Sequence, residues 1–181
     1  MKNLHYIIVS FSIIMVSCAS SKSNATAEEM AALTSLVNNR NFNIESDWAY
    51  PLSTMAMQQV LNSGLLQPGN SAGAISLIGN SNFLTISGDS ISSYLPYYGE
   101  RQMQVNYGGG DSAIQFDGLL EDYELVKNKN GSYTMSFVAT SKSEQFNTNI
   151  TIFPNLRSEI FLNSASRFPI RYSGVVVEQE E

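Results

Sequence analysis

The spacing of apolar residues changes period along the chain, and each change marks an element. Thr26 followed by Glu29 forms a capping box, and Met30, Leu33 and Val37 recur at helical spacing with Leu36 widening the stripe. This predicts a helix over residues 27–38. At Arg40 the period drops to two. Phe42, Ile44, Ser46, Trp48 and Tyr50 alternate with Asn43, Glu45, Asp47 and Ala49, which predicts a half-buried strand ended by Pro51, with Trp48 on its inner face. Residues 52–66 fit either a short helix through Leu52, Met55, Ala56, Val60 and Leu61 that stops at Gly64 or an irregular apolar cover, with the helix favoured, and 67–71 reads as a loop.

From Ala74 onward strand signals recur at short intervals. Residues 75–78, 83–87 and 91–95 are apolar runs separated by turn formers, and Pro96 and Gly99 then bracket a corner. Met103, Val105 and Tyr107 face one way in the next predicted strand, and Gln102, Gln104 and Asn106 the other. After a Gly108-Gly109-Gly110-Asp111 loop, strands are expected around Ile114 and Phe116, then Tyr123 and Leu125, with Asn130-Gly131 as a hairpin turn into Tyr133, Met135 and Phe137. Phe146, Thr148, Ile150 and Ile152, then Ser158, Ile160 and Leu162, then residues 170–177 supply the remainder. Such a run of short strands behind one helix argues for a mainly β, α+β domain over residues 26–177. It is a single antiparallel barrel or sandwich of about nine or ten strands, with the N-terminal helix packed on it and an acidic tail at 178–181. Leu95 and Phe116 join Trp48 in the expected core.

The amino terminus is patterned differently. Lys2 precedes an apolar stretch over residues 6–16, too short for the roughly 20 residues that span a bilayer and suited to a secretory signal peptide. It ends Met15-Val16-Ser17-Cys18, and a small residue directly before the chain's only cysteine resembles a bacterial lipobox. Residues 1–17 are therefore expected to be cleaved and Cys18 acylated, leaving residues 18–25 as a polar tether. The full chain has 10 basic and 16 acidic residues. Losing Lys2 leaves 9 against 16, a net of −7, which excludes nucleic acid as a partner and makes the lipid the membrane link. The tether lacks the acidic run of a surface-export signal, so the expected location is the envelope, on the outer membrane facing the periplasm.

Several short motifs fall together. Arg40 with Phe42, Pro51 after Ala49-Tyr50, Gly88-Asp89-Ser90, Leu95-Pro96-Tyr97-Tyr98-Gly99, Ile114-Gln115-Phe116-Asp117-Gly118 and Tyr172-Ser173-Gly174-Val175 resemble an uncharacterised domain-of-unknown-function family of Bacteroidetes lipoproteins. The resemblance covers about residues 36–177, and residues 52–74 look longer than that family's usual connection. It implies an envelope lipoprotein of a Gram-negative bacterium and carries no catalytic residues over.

With the leader removed no histidine remains, and Cys18 is committed to lipid. Ser-His-Asp and Cys-His nucleophiles and His- or Cys-ligated zinc therefore have no residues to use. Lys127, Lys129 and Lys142 flank polar turns, where nothing desolvates an amine for a Ser-Lys pair. The triglycine loop lacks the lysine and helix of a phosphate cradle. Calcium at Asp111 with Asp89 would need backbone carbonyls to complete its shell. No catalytic residue, metal or cofactor is expected. The alternative is a glycosidase-type enzyme built on a pair drawn from Asp89, Glu100, Asp111, Asp117 and Glu121. What remains is the aromatic group Tyr94, Tyr97, Tyr98 and Tyr107 with Glu100, Arg101 and Asp111. These residues either pack into the core with hydroxyls at the rim or form a recognition surface for a glycan or peptide.

Overall fold

In the computed structural model, which describes residues 25–64, 68–102, 112–142 and 144–178, the capping box at Thr26 opens the first element. The Glu29 amide donates to Thr26 Oγ1 at 3.1 Å and the Thr26 amide to Glu29 Oε2 at 2.7 Å, so two end groups of helix α1 (Ala27–Asn39) satisfy each other. Arg40 ends the helix in the left-handed conformation, its amide donating to Leu36 O. The strands are β1 (Asn41–Pro51), β2 (Ile75–Ser76), β3 (Phe83–Ser87), β4 (Ser90–Tyr94), β5 (Asp117–Leu119), β6 (Glu121–Lys127), β7 (Tyr133–Ser141), β8 (Glu144–Ile152), β9 (Arg157–Asn163) and β10 (Ile170–Glu178). A second helix, α2 (Met55–Asn62), follows β1.

All ten strands form one antiparallel sheet in the order β5-β4-β3-β1-β10-β9-β8-β7-β6, with β2 added alongside β1. Its two edge strands are consecutive in the chain and separated only by Leu120. The stretch from Ile114 to Lys127 pairs first with β4, through Leu95–Ile114 and Ser92–Asp117, and then with β7, through Glu121–Val138 and Lys127–Tyr133. Between the two it bends at a register shift that includes Asp122 at φ 52°. One bent stretch of chain thus nearly closes the sheet into a barrel.

Alternation fills the interior. Phe42, Ile44, Leu84, Ile86, Phe116, Phe146, Met135 and Tyr172 are fully buried in one continuous core, and the Phe116 and Phe146 rings meet edge to face at 5.7 Å. Outward positions such as Asn147, Asn149, Thr151 and Glu159 are polar, the reverse of a barrel that faces lipid. Helix α1 lays Leu33 and Val37 into this core, and Thr34 Oγ1 hydrogen-bonds the Tyr133 hydroxyl at 3.0 Å. The helix therefore covers the barrel end that holds the β6–β7 and β3–β4 turns.

Trp48 departs from the expectation that it lies inside. Strand β1 carries one extra residue between Ser46, opposite Gly174, and Trp48, opposite Ser173. The bulge at Asp47 reverses the phase: Ala49 turns into the core, while Trp48 and Tyr50 take the outer face. Gly174 is obligatory there, since a Cβ would lie 1.9 Å from the Glu45 carbonyl oxygen. In α2 the expected stripe is also shifted, because Thr54 caps the helix: Met57 is buried and Met55 is 81% exposed. The strand expected around Met103 to Tyr107, the signal peptide with its tether cysteine, and most of the acidic tail lie outside the described residues.

The phase change gives a direct comparison. Truncating Leu95, fully buried, to Ala is expected to cost about 2–5 kcal/mol, and Trp48→Ala the smaller amount despite the larger side chain. Chemical denaturation of both variants measures this, and a greater loss for Trp48→Ala would place the indole inside.

Candidate functional site

The corner after β4 is built from its own sequence motif. Leu95 ends the strand inside the core, and the next carbonyl, Pro96 O, accepts from the buried Tyr172 hydroxyl at 2.9 Å. Tyr97 folds back over the chain, and its hydroxyl donates to Glu100 O at 2.8 Å and Phe168 O at 3.0 Å. Gly99 lies under that ring. A Cβ there would sit 2.4 Å from the Tyr97 hydroxyl oxygen, so the glycine makes room for the tyrosine. The chain then pairs with the β9–β10 loop: the Phe168 amide donates to Glu100 O at 3.1 Å and the Gln102 amide to Ser166 O at 2.8 Å.

Charges converge on the same place. Arg167, only 5% exposed, donates from Nε to Glu144 Oε2 at 2.6 Å and from Nη1 to Ser112 O at 2.6 Å. Its guanidinium carbon stands 4.9 Å from the centre of the Tyr97 ring and 5.7 Å from that of Phe146. Arg101 Nη1 reaches the other Glu144 oxygen at 3.3 Å, so one carboxylate serves two guanidiniums. Thr54 Oγ1 donates to the Glu100 carboxylate and so ties the start of α2 to the corner. Burial pushes the Tyr97 phenol up to about 12, against the opposing pull of Arg167 and Arg101. Tyr172 is held well above the ordinary phenol range by its complete burial, and Tyr98 is raised for the same reason. With Tyr97 neutral, Glu144 doubly paired and Glu100 hydrogen-bonded, the arrangement works chemically as a clamp between the β4 corner, the β9–β10 loop and α2.

The residues singled out from sequence separate on this frame. Tyr97, Glu100 and Arg101 meet in the clamp, with Tyr97 buried and the other two half-exposed. Tyr98 is half-buried and links the main core to a small cluster of Met57, Ala72 and Ile75. Tyr94 lies on the face of β4 opposite to that of Ser93. Tyr107, Asp111 and Cys18 are outside the described residues. Among the acids, Asp89 occupies the β3–β4 turn at the other end of the barrel from Glu100, paired with Arg40 at 2.5 Å, and Asp117 and Glu121 are exposed on β5 and β6. Among the described residues, no three of His, Cys, Asp or Glu gather as metal ligands.

Arg167, Glu144, Thr54 and Phe168 complete the clamp and carry no local signal. Arg167 follows Ser164-Ala165-Ser166, which reads as a solvated loop, and its partners Glu144 and Ser112 lie 23 and 55 residues away in sequence. The one available hint is the apolar pair Phe168-Pro169 inside an otherwise polar connection.

Two outcomes follow from the clamp. Glu144→Gln keeps the volume but leaves two guanidiniums facing a neutral amide, one of them buried, and is expected to cost about 3–5 kcal/mol in a denaturant melt. The Tyr97 phenol ionises near 10.0 when unfolded and near 12 when folded. Its contribution to stability is therefore complete below pH 10.0 and is lost as pH rises through about 12. Tyr97→Phe should flatten that alkaline limb in part, Tyr172 supplying the rest. An unchanged limb would mean that the Tyr97 hydroxyl is not held by the fold.

No curated protein matches the chain. A crystal structure of a DUF4251 family protein from Bacteroides eggerthii DSM 20697 is similar in fold, with a TM-score of 0.54 at 13% sequence identity over 84% of this chain and 89% of that one. The profile of the domain of unknown function DUF4251 matches residues 24–176, nearly all of the barrel with its leading helix. The chain therefore belongs to the DUF4251 family.

Proposed function

We propose that this protein is a lipid-anchored domain of the bacterial envelope, held by an acylated Cys18 and facing the periplasm, which acts by binding or as a structural accessory. The observation that carries this reading is the filled barrel. Its interior is occupied by the protein's own side chains, from Phe42 and Ile44 to Phe146 and Tyr172, so a partner would be met on the outer surface. The ionisable groups of the clamp are engaged with one another, which suits a rigid mount better than proton transfer. Tyr98, Glu100 and Arg101 keep part of their surface at the rim, where a glycan or peptide would touch them. The polar outer wall supports a tether in place of insertion, and among the described residues no helix is long and apolar enough to cross a membrane.

The anchor is tested by feeding a labelled fatty acid to the native host. Label should appear on the wild-type protein and vanish in Cys18→Ala, and label that persists in the variant would remove the anchor from this reading. Protease added to whole cells should leave the domain intact, whereas release of the barrel would reverse its orientation.

A further inference from the structure

On the outer wall, where β1 bulges, an open groove of about 680 Å³ runs between β1, the start of β3, Val177 and the connection over residues 77–82. That volume falls within the roughly 300–1,000 Å³ usual for ligand clefts. Its walls are fixed by the backbone. The Leu77 amide donates to Asp47 O at 2.8 Å and the Asn80 amide to Leu77 O at 2.9 Å. Asn82 receives the Ser46 amide on Oδ1 at 2.8 Å and returns a bond from Nδ2 to Ser46 O at 3.0 Å. The side chain of Asn82 thereby fills the gap left in the sheet between β2 and β3. Leu77 is buried and anchors the loop, while its neighbour Ile78 is 74% exposed; Phe83 and Val177 are exposed by 39% and 43%.

Two carboxylates border these apolar groups. Glu45 and Asp47 face outward on β1, and neither forms an ion pair with any described residue. Among the described residues, no lysine or arginine lines the groove. Arg157 stands two strands away in the same register row, opposite Val175, which in turn is opposite Glu45. In the groove, Asn82 is engaged with the Ser46 backbone, and Asn43 Oδ1 accepts from Thr85 Oγ1 at 3.0 Å. The groove's unspent carboxylates accept hydrogen bonds and carry negative charge. A cation beside an aliphatic or aromatic side chain needs what is present, namely fixed apolar surface next to unpaired negative charge.

From this complementarity we propose that the groove binds an extended polypeptide segment bearing lysine or arginine next to an apolar residue. The cation sits against Glu45 and Asp47, and the apolar side chain rests on Phe83, Ile78 and Val177. The pre-formed walls lower the ordering cost of binding. This site lies apart from the Tyr97 clamp and does not depend on the lipid at Cys18.

Purified full-length protein would be titrated with a fluorescent short peptide of alternating lysine and leucine, with the glutamate–leucine peptide of equal length as comparison. The lysine peptide should bind measurably tighter, and its affinity should fall as salt is raised. Glu45→Gln/Asp47→Asn should weaken it about fivefold, the scale of two exposed charge pairs. Asp117→Asn/Glu121→Gln, which removes the same charge from β5 and β6, should leave affinity unchanged. Phe83→Ser should also weaken binding, and the charge variants decide the matter should that variant not fold. Equal binding of the two peptides would overturn the proposal, as would equal loss in both charge variants, which would signify net charge alone. Two further results would overturn it: a glycan-array ligand lost in Phe83→Ser with no peptide bound, or self-association of the protein abolished by Phe83→Ser, which would assign the groove to a second copy.

Discussion

At Gly174 the backbone of β10 comes so close to that of β1 that no side chain fits between them, and much of the architecture depends on this contact. A Cβ on residue 174 would stand 2.6 Å from Ser46 Cα and closer still to the Glu45 carbonyl. Beside this approach β1 takes in Asp47 as an extra residue and bends. The bend lets one strand serve two neighbours on the same side, β3 along residues 41–44 and β2 at Trp48 and Ala49, with Asn82 bridging the space between them. A straight β1 would carry Trp48 inward and Ala49 outward, inverting the inner and outer faces over the second half of the strand.

The opposite end of the barrel is held by buried polar groups. One phenol shared between two carbonyls and one carboxylate shared between two guanidiniums are costly to desolvate. Such groups contribute little net stability compared with apolar replacements of the same shape, yet removing one partner is severe. Their effect is directional. Apolar contacts would allow the β9–β10 loop to settle at several heights above the barrel, whereas Tyr97 between Glu100 O and Phe168 O, with Arg167 reaching Ser112 O, admits one. The Leu95-Pro96-Tyr97-Tyr98-Gly99 motif thus has a folding rationale: core anchor, carbonyl acceptor, clamp, bridge to the α2 cluster, and the space the clamp needs.

The sequence pattern made the helix and the regular strands legible, because each has one buried and one wet face and nothing interrupts the period. In β8, Phe146, Thr148, Ile150 and Ile152 all face inward as the alternation implies, and the capping box placed the start of α1. Trp48 was misplaced because a bulge leaves composition unchanged while reversing phase, and its cause, Gly174, sits on another strand. The closure of the sheet was not legible either, since the stretch from Ile114 to Lys127 changes partners within a single run of alternating residues. At the corner, pattern identified Tyr97 and Arg101 but could not decide between core and surface. That decision rests with Arg167 and Glu144, whose pairing spans two strands and a loop.

These constraints also locate the unspent chemistry on the surface. Helix α1 covers one barrel end, the clamp fixes the other, and the interior is filled. On the outer wall of β7 and β8 neighbouring polar groups bond to one another, as Thr134 does with Thr151 at 3.1 Å and Ser136 with Asn149 at 2.7 Å. At the β1 bulge such pairing is broken. Glu45 lies opposite the apolar Val175, Asp47 is the extra residue with no register partner on β10, and the Asn82 bridge is occupied with backbone. Where its central strand had to bend, the fold sets the exposed Glu45 and the half-buried Asp47 beside uncovered apolar side chains. The geometric compromise that fits β1 against Gly174 is therefore also what leaves that part of the wall able to hold something else.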